Sequence, residues 1–212
     1  MRRIAEKSER FAGLKDSSGD LDKVRRFVGI GKEIGRDFAI FMAEKLPEML
    51  ETVAKRIEGI STIHYHNRSP DALEILVLDL TQNFHAPGAM RLETVEVTGG
   101  VQLERVAVAG QVIGAAESGT NRYVVDGTKL VIFPAQPVGP GQSVELGVDW
   151  SFVIPQAGAG GRMGHSRDNL VFLAYWDPQM AAYDDVVGWH PDQFLGSAEF
   201  YSDFGNYDVT IE

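Results

Sequence analysis

Hydrophobic positions along this chain follow two different rules, and the change falls near residues 44–50. Ahead of it, "FAGLKD" has the profile of a short apolar strand that ends in charge. "SSGDLDKVRRFVGIGKEIG" follows, with Ser18 or Asp20 as a helix N-cap and Leu21, Val24, Phe27 and Val28 at helical spacing. "DFAIFM" is a second short apolar run. Strand, helix and strand in this order predict one βαβ unit.

Beyond residue 50 the helical period disappears. Strands are expected in "AKRIEGISTIHYHN", "LEILVLDL", "LETVEVTG", "VQLERVAVAG", "NRYVVDGTKLVIFP", "SVELGVDWSFVIP", "NLVFLAYW" and "YDVTIE". Turn signals punctuate them: Asn67 to Pro70, Gly99-Gly100, Asp126-Gly127 and Gly139-Pro140-Gly141. "TVEVTGGVQLERV" reads as a hairpin that turns at its glycine pair. No fixed repeat period accompanies these strands, which argues against a propeller. The pattern predicts a mainly β, mostly antiparallel sandwich or curved sheet pair, preceded by a short α/β or helical appendage.

Composition narrows the function classes. The 212 residues are 44% hydrophobic and 24% charged, enough apolar mass for a true core. A net charge of −10 argues against nucleic acid as a partner, because phosphate binding needs a basic face. With no cysteine, disulfides, thiolate catalysis and cysteine-ligated zinc are excluded. No window approaches the roughly 18 apolar residues of a membrane span. "MRRIAEKSERFAG" has no apolar core of a secretory signal, so the chain as it stands reads as cytoplasmic.

Candidate chemistry is sparse. His64 and His66 fall on one face of an expected strand, a spacing that can chelate, yet they also fit polar positions alternating with Ile63 and Tyr65. His85 lies in a proline-glycine turn and is expected to be solvated. No histidine is followed by glutamate, so H-E-x-x-H is absent, and no G-x-S-x-G elbow occurs. Asp184 and Asp185 are strand neighbours whose side chains should point to opposite faces, which disfavours a paired acid and base. "IPQAGAGGRMGHSRDN" is glycine-rich, but a strand follows it, so a surface loop is expected in place of a phosphate cradle. Lys15 ends an apolar run, where a desolvated amine could form a Schiff base. In "LVFLAYWDPQMAAYDDVVGWHPDQFLG", the rings of Phe172, Tyr175, Trp176, Trp189 and Phe194 are expected to cover a sheet end.

Two family resemblances add to this. "FAGLKDSSGDLDKVRRFV" with "DFAIFM" resembles the Schiff-base segment of the dihydrodipicolinate synthase and 2-keto-3-deoxygluconate aldolase family, over about residues 8–42. Lys15 matches that family's catalytic lysine. Its fold is a (β/α)₈ barrel of about 250 residues, so the resemblance implies a barrel fragment with Lys15 as a vestigial Schiff-base lysine. The second resemblance runs from about residue 46 to the end. "RIEGISTIHYHNRSPDALEILVLDLTQN" and "NLVFLAYWDPQMAAYDDVVGWHPDQFLGSAEFYSDFGNYDVTIE" resemble the opening and close of the saddle-like amino-terminal β-domain of zinc aminopeptidases, the aminopeptidase N and leukotriene hydrolase type.

That second resemblance implies a division into residues 1–45, an aldolase-like fragment, and 46–212, the β-domain. It implies a non-catalytic role in positioning peptide substrates and packing against a thermolysin-like domain that is missing from this chain. Zinc belongs to that other domain, so no cofactor is expected in this one. The resemblance also implies that Gln179 contacts the free α-amine of the peptide, with Asp184 or Asp185 as substitutes for that role. The alternatives are a fragment of a Schiff-base aldolase using Lys15, and a stand-alone β-sandwich binding module.

Overall fold

A computed structural model describes residues 56–156, 162–165, 170–196 and 201–211. Lys15, the expected βαβ unit, the boundary at residue 45 and most of the glycine-rich loop lie outside these residues. The described part is mainly β, with one short 3₁₀ turn and no α-helix among the described residues.

Alternation dictates the two longest strands. In β1 (Arg56–His66), Ile57, Gly59, Ser61, Ile63 and Tyr65 face inward, while Glu58, Ile60, Thr62, His64 and His66 are exposed. In β7 (Ser143–Val153), Leu146, Val148, Trp150 and Phe152 are buried on one face. The two pair antiparallel over their whole lengths, from Arg56↔Val153 to His66↔Ser143. A period of two with one buried face pins this register, since a slip of one residue would expose every core side chain.

The other strands of the main sheet are β2 (Leu76–Asp79), β3 (Gln102–Val108), β4 (Gln111–Ala115), β5 (Arg122–Asp126), β6 (Lys129–Phe133) and β10 (Gln179–Met180). They form one eight-stranded sheet in the order β1-β7-β3-β4-β5-β6-β2-β10. Every neighbouring pair is antiparallel except β4 and β5, which meet in parallel through Gly114↔Arg122 and Ala115↔Tyr123. Two small ribbons complete it: β8 (Met163–His165) with β9 (Val171–Leu173), and β11 (Tyr183–Asp184) with β12 (Gly188–Trp189).

The core shows that the sheet curls on itself. Leu76 and Leu78 of β2 and Leu130 and Ile132 of β6 belong to the same buried cluster as Leu146, Val148, Trp150 and Phe152 of β7. Strands from both halves of the sheet order therefore share one interior, which gives the expected sandwich-like curved sheet. On the outer face, Arg105 Nε and Nη2 donate to the two oxygens of Asp149 at 2.8 and 2.9 Å.

Three expected elements differ. The hairpin of this region turns at Ala109 (φ 48°) and Gly110 (φ 78°), between β3 and β4, and residues 92–99 form no strand. Two left-handed residues in a row suit the twist of a two-residue hairpin. The Gly99-Gly100 pair has another job. Thr98 and Gly99 donate their N–H groups to the His85 carbonyl, and a Cβ on Gly100 would collide with Asn83 Oδ1 and Ala86. The pair thus seats the chain against the 3₁₀ turn Thr81–His85. "NLVFLAYW" pairs only over Val171–Leu173, because Tyr175 takes a left-handed conformation (φ 54°) and turns the chain away. The final "YDVTIE" forms no strand over its described residues 207–211, which are exposed.

Candidate functional site

The sheet ends at β10, and the turn leading into it carries the chemistry. Gln82, buried in the 3₁₀ turn, donates from Nε2 to the carbonyls of Ala174 (3.3 Å) and Tyr175 (3.0 Å). Those two bonds hold the left-handed corner at Tyr175, a conformation that costs a non-glycine residue roughly 1–3 kcal/mol unless its surroundings enforce it. After the corner come Trp176, Asp177, buried Pro178 and Gln179.

Gln179 pairs with Asp79 in the β10–β2 register, and Asp79 pairs with Lys129 in the β2–β6 register. Directly opposed residues share a face, so Lys129, Asp79 and Gln179 form a row across three strands. That face is opposite to the core, because their neighbours Leu130, Leu78 and Met180 pack inward. Lys129 Nζ donates to Asp79 Oδ1 at 2.6 Å. Burial raises the Asp79 carboxyl above its ordinary range, against the opposing pull of Lys129. Gln179 Nε2 donates to Asp177 Oδ1 at 3.0 Å. Burial also raises the Asp177 carboxyl, and no cation among the described residues pairs with it. Tyr207, largely exposed in the carboxy-terminal segment, faces Asp177, and its phenol is raised by partial desolvation first and by the Asp177 charge second.

Asp184 and Asp185 lie apart from this row, on the β11–β12 hairpin. Asp184 is used by its own hairpin: Oδ1 accepts from the backbone N–H groups of Val186 and Val187, and Oδ2 accepts from His190 Nε2 at 2.6 Å. The His190 bond, then the two backbone bonds, lower its pKa from 3.8 to about 2. A lowered carboxyl stabilises the fold above its unfolded value, and that contribution is lost as pH falls through the folded one. Acidification from pH 4 towards 2 should therefore loosen β11–β12. A carboxyl carbon titration placing Asp184 at an ordinary midpoint would contradict this. Asp185 is exposed in the connecting turn.

The rings of the 170–196 stretch are mostly packing, as expected. Trp176 lies 5.6 Å from Trp150, centroid to centroid, and Phe194 lies 5.3 Å from Phe84. Trp189 packs against Tyr65 and Tyr183 and donates from Nε1 to the Ile75 carbonyl. Phe172 is half-buried in β9.

The histidines divide. His64 and His66 alternate with inward Ile63 and Tyr65, His66 bonding Ser143 Oγ at 2.9 Å and His64 facing Glu145. His85 corrects an expectation: it is buried, with Nδ1 at 2.8 Å from the Glu96 carbonyl and its pKa lowered chiefly by desolvation. The proline-glycine signal reads the turn correctly, but 3₁₀ winding turns the ring inward. Asp177, Asp79 and Lys129 escape sequence reasoning altogether. Only pairing across strands distant in the chain assembles them.

Among the described residues no three His, Asp or Glu side chains stand together as a metal ligand set. No helix among them is long and apolar enough to cross a membrane. No protein-family model matches the chain, and no curated protein does. A crystal structure of an M1 zinc metallopeptidase from Deinococcus radiodurans is similar at 18% identity and a TM-score of 0.33. The match covers 50% of this chain and 18% of that one, so this chain corresponds to less than a fifth of that protein. Nothing found supports the aldolase-like reading of residues 8–42.

Proposed function

We propose that the β-domain serves a zinc aminopeptidase as its amino-terminal module, offering Gln179 to the free α-ammonium of a peptide. The peptidase chemistry belongs to a thermolysin-like domain outside this chain, and no step of it is assigned to residues here. The observation that carries the reading is the Gln179–Asp177 bond. It occupies the amide nitrogen and leaves the amide oxygen, the atom suited to accept from an ammonium. The resemblance of the segment around "YWDPQMA" to the closing part of such domains supports the same role. Lys129 and Asp79 neutralise one another beside it, so the row adds no net positive charge to repel an amine.

The chain on its own is expected to leave aminoacyl-nitroanilides intact, with or without added zinc. Chelator-sensitive turnover by the pure protein would refute the division of labour. When the chain is joined to a catalytic domain encoded downstream in frame, Gln179→Ala should cost about 1.5–3 kcal/mol of transition-state binding. That is roughly ten- to a hundredfold in kcat/KM. An unchanged ratio would make Gln179 a packing residue.

A further inference from the structure

We infer that Asp177 is the positioning residue of this amine subsite: it turns the Gln179 amide oxygen outward, and it supplies the negative charge that an arriving ammonium meets. The inference rests on the amine reading of Gln179 and adds the group that controls it.

An ionised carboxylate can only accept hydrogen bonds, so an amide beside it must present its NH₂ group. The 3.0 Å bond from Gln179 Nε2 to Asp177 Oδ1 has this polarity. The carboxamide has two ends, and fixing the nitrogen fixes the oxygen at the other. Gln179 makes no other side-chain hydrogen bond among the described residues, so within them Asp177 sets its orientation. Buried Pro178 separates the two residues, and its ring restricts the backbone between them. The pair is therefore preorganised, with the corner at Tyr175 on one side and the β2 ladder on the other.

Charge points the same way. Tyr207 faces Asp177, and the same side of the sheet carries Asp79, Lys129 and, on β5, Asp126 and Arg122. Of the two cations, Lys129 is taken by Asp79 at 2.6 Å and Arg122 lies over the Phe133 ring. Asp177 is left as a half-buried acid with a dipole for company and no counter-ion among the described residues. A primary ammonium is the ligand class that completes such a site, since it donates to the amide oxygen and balances the carboxylate at once. Protonating Asp177 removes both contributions: the charge goes, and the neutral acid can donate, which frees the amide to flip. Burial shifts this proton uptake upward from the ordinary carboxylate range, so ammonium affinity should fall on mild acidification.

The test uses the 212-residue chain, ¹⁵N-labelled, with L-leucinamide as the probe. In the parent, the Gln179 side-chain NH₂ signals should move with the carboxyl titration of Asp177. Leucinamide should shift them at neutral pH and bind at least tenfold more weakly once Asp177 is protonated. Asp177→Asn should keep a dispersed spectrum, lose tenfold or more in affinity and show no acid dependence. Asp177→Glu should recover part of the affinity. Gln179 signals indifferent to the Asp177 titration, or undiminished affinity in Asp177→Asn, would overturn the assignment of Asp177 and leave the amine reading standing. No leucinamide shift at Gln179 in the parent, or equal affinity in Gln179→Ala, would overturn the amine reading and the inference with it.

Discussion

Replacing Trp150 with alanine is expected to destabilise the protein by about 3–5 kcal/mol, the range for a large buried ring removed from a packed core. The indole is 2% exposed and joins the two halves of the curled sheet. It stacks on Phe152 at 5.8 Å and 15°, tilts against Trp176, and donates from Nε1 to Ser61 Oγ at 2.9 Å. Its ring lies over Gly59 of β1 so closely that any Cβ there would strike it. The alanine variant opens a cavity that β1 cannot refill, because β1 is held along its length by β7. Urea unfolding should show a lower midpoint with an unchanged slope. A loss under 1 kcal/mol would mean that the rings do not bridge the two halves. Gly59→Val should reach a comparable loss from the opposite direction, by forcing the indole out of place.

Asn67→Ala is expected to cost about 2–4 kcal/mol, larger than an ordinary hydrogen-bond deletion because several buried groups lose partners together. Asn67 is fully buried. Its Nδ2 donates to the carbonyls of Asp71 (2.7 Å) and Val138 (2.8 Å), and its Oδ1 accepts from Ser69 N (3.0 Å) and Ser69 Oγ (2.7 Å). Its backbone also exchanges bonds with Gln142 and Gly141. One amide thus ties the loop after β1 to the loop before β7. Amide exchange should rise at Leu73 and Val138, whose backbones bond one another beside it. Unchanged protection at both would place the tie elsewhere.

The polar turn around Asn67 was legible in the sequence, as were β1, β6 and β7. β6 and β7 each have one face that is wholly apolar, β1 alternates over eleven residues with Ile57, Ile63 and Tyr65 inward, and Asp126-Gly127 marks the β5–β6 turn directly. Gly99-Gly100 misleads, because two glycines serve equally for a hairpin and for close approach to another segment, and only Asn83 decides between them. β4 is short and mostly exposed, so no apolar period announces it. The segment 207–211 has the right alternation but no neighbour to complete a ladder among the described residues. At the site, Gln179 was reached by resemblance. Asp177, two residues away, carries no sequence signal, because a buried acid and an exposed one are written with the same letter.

The pairing of β1 with β7 also has a consequence for the order of synthesis. His66 and Ser143 face one another across 77 residues of chain. At about 5–20 residues per second, β1 leaves the ribosome roughly 4–15 s before its partner exists. Over that interval a strand bearing Ile57, Ile60, Ile63 and Tyr65 has no ladder to join, while the β3–β4 and β5–β6 hairpins can close locally as they emerge. The longest ladder of the native sheet is one the nascent chain cannot begin until 77 residues after β1, and the newborn β1 is where this protein most needs shelter from other chains.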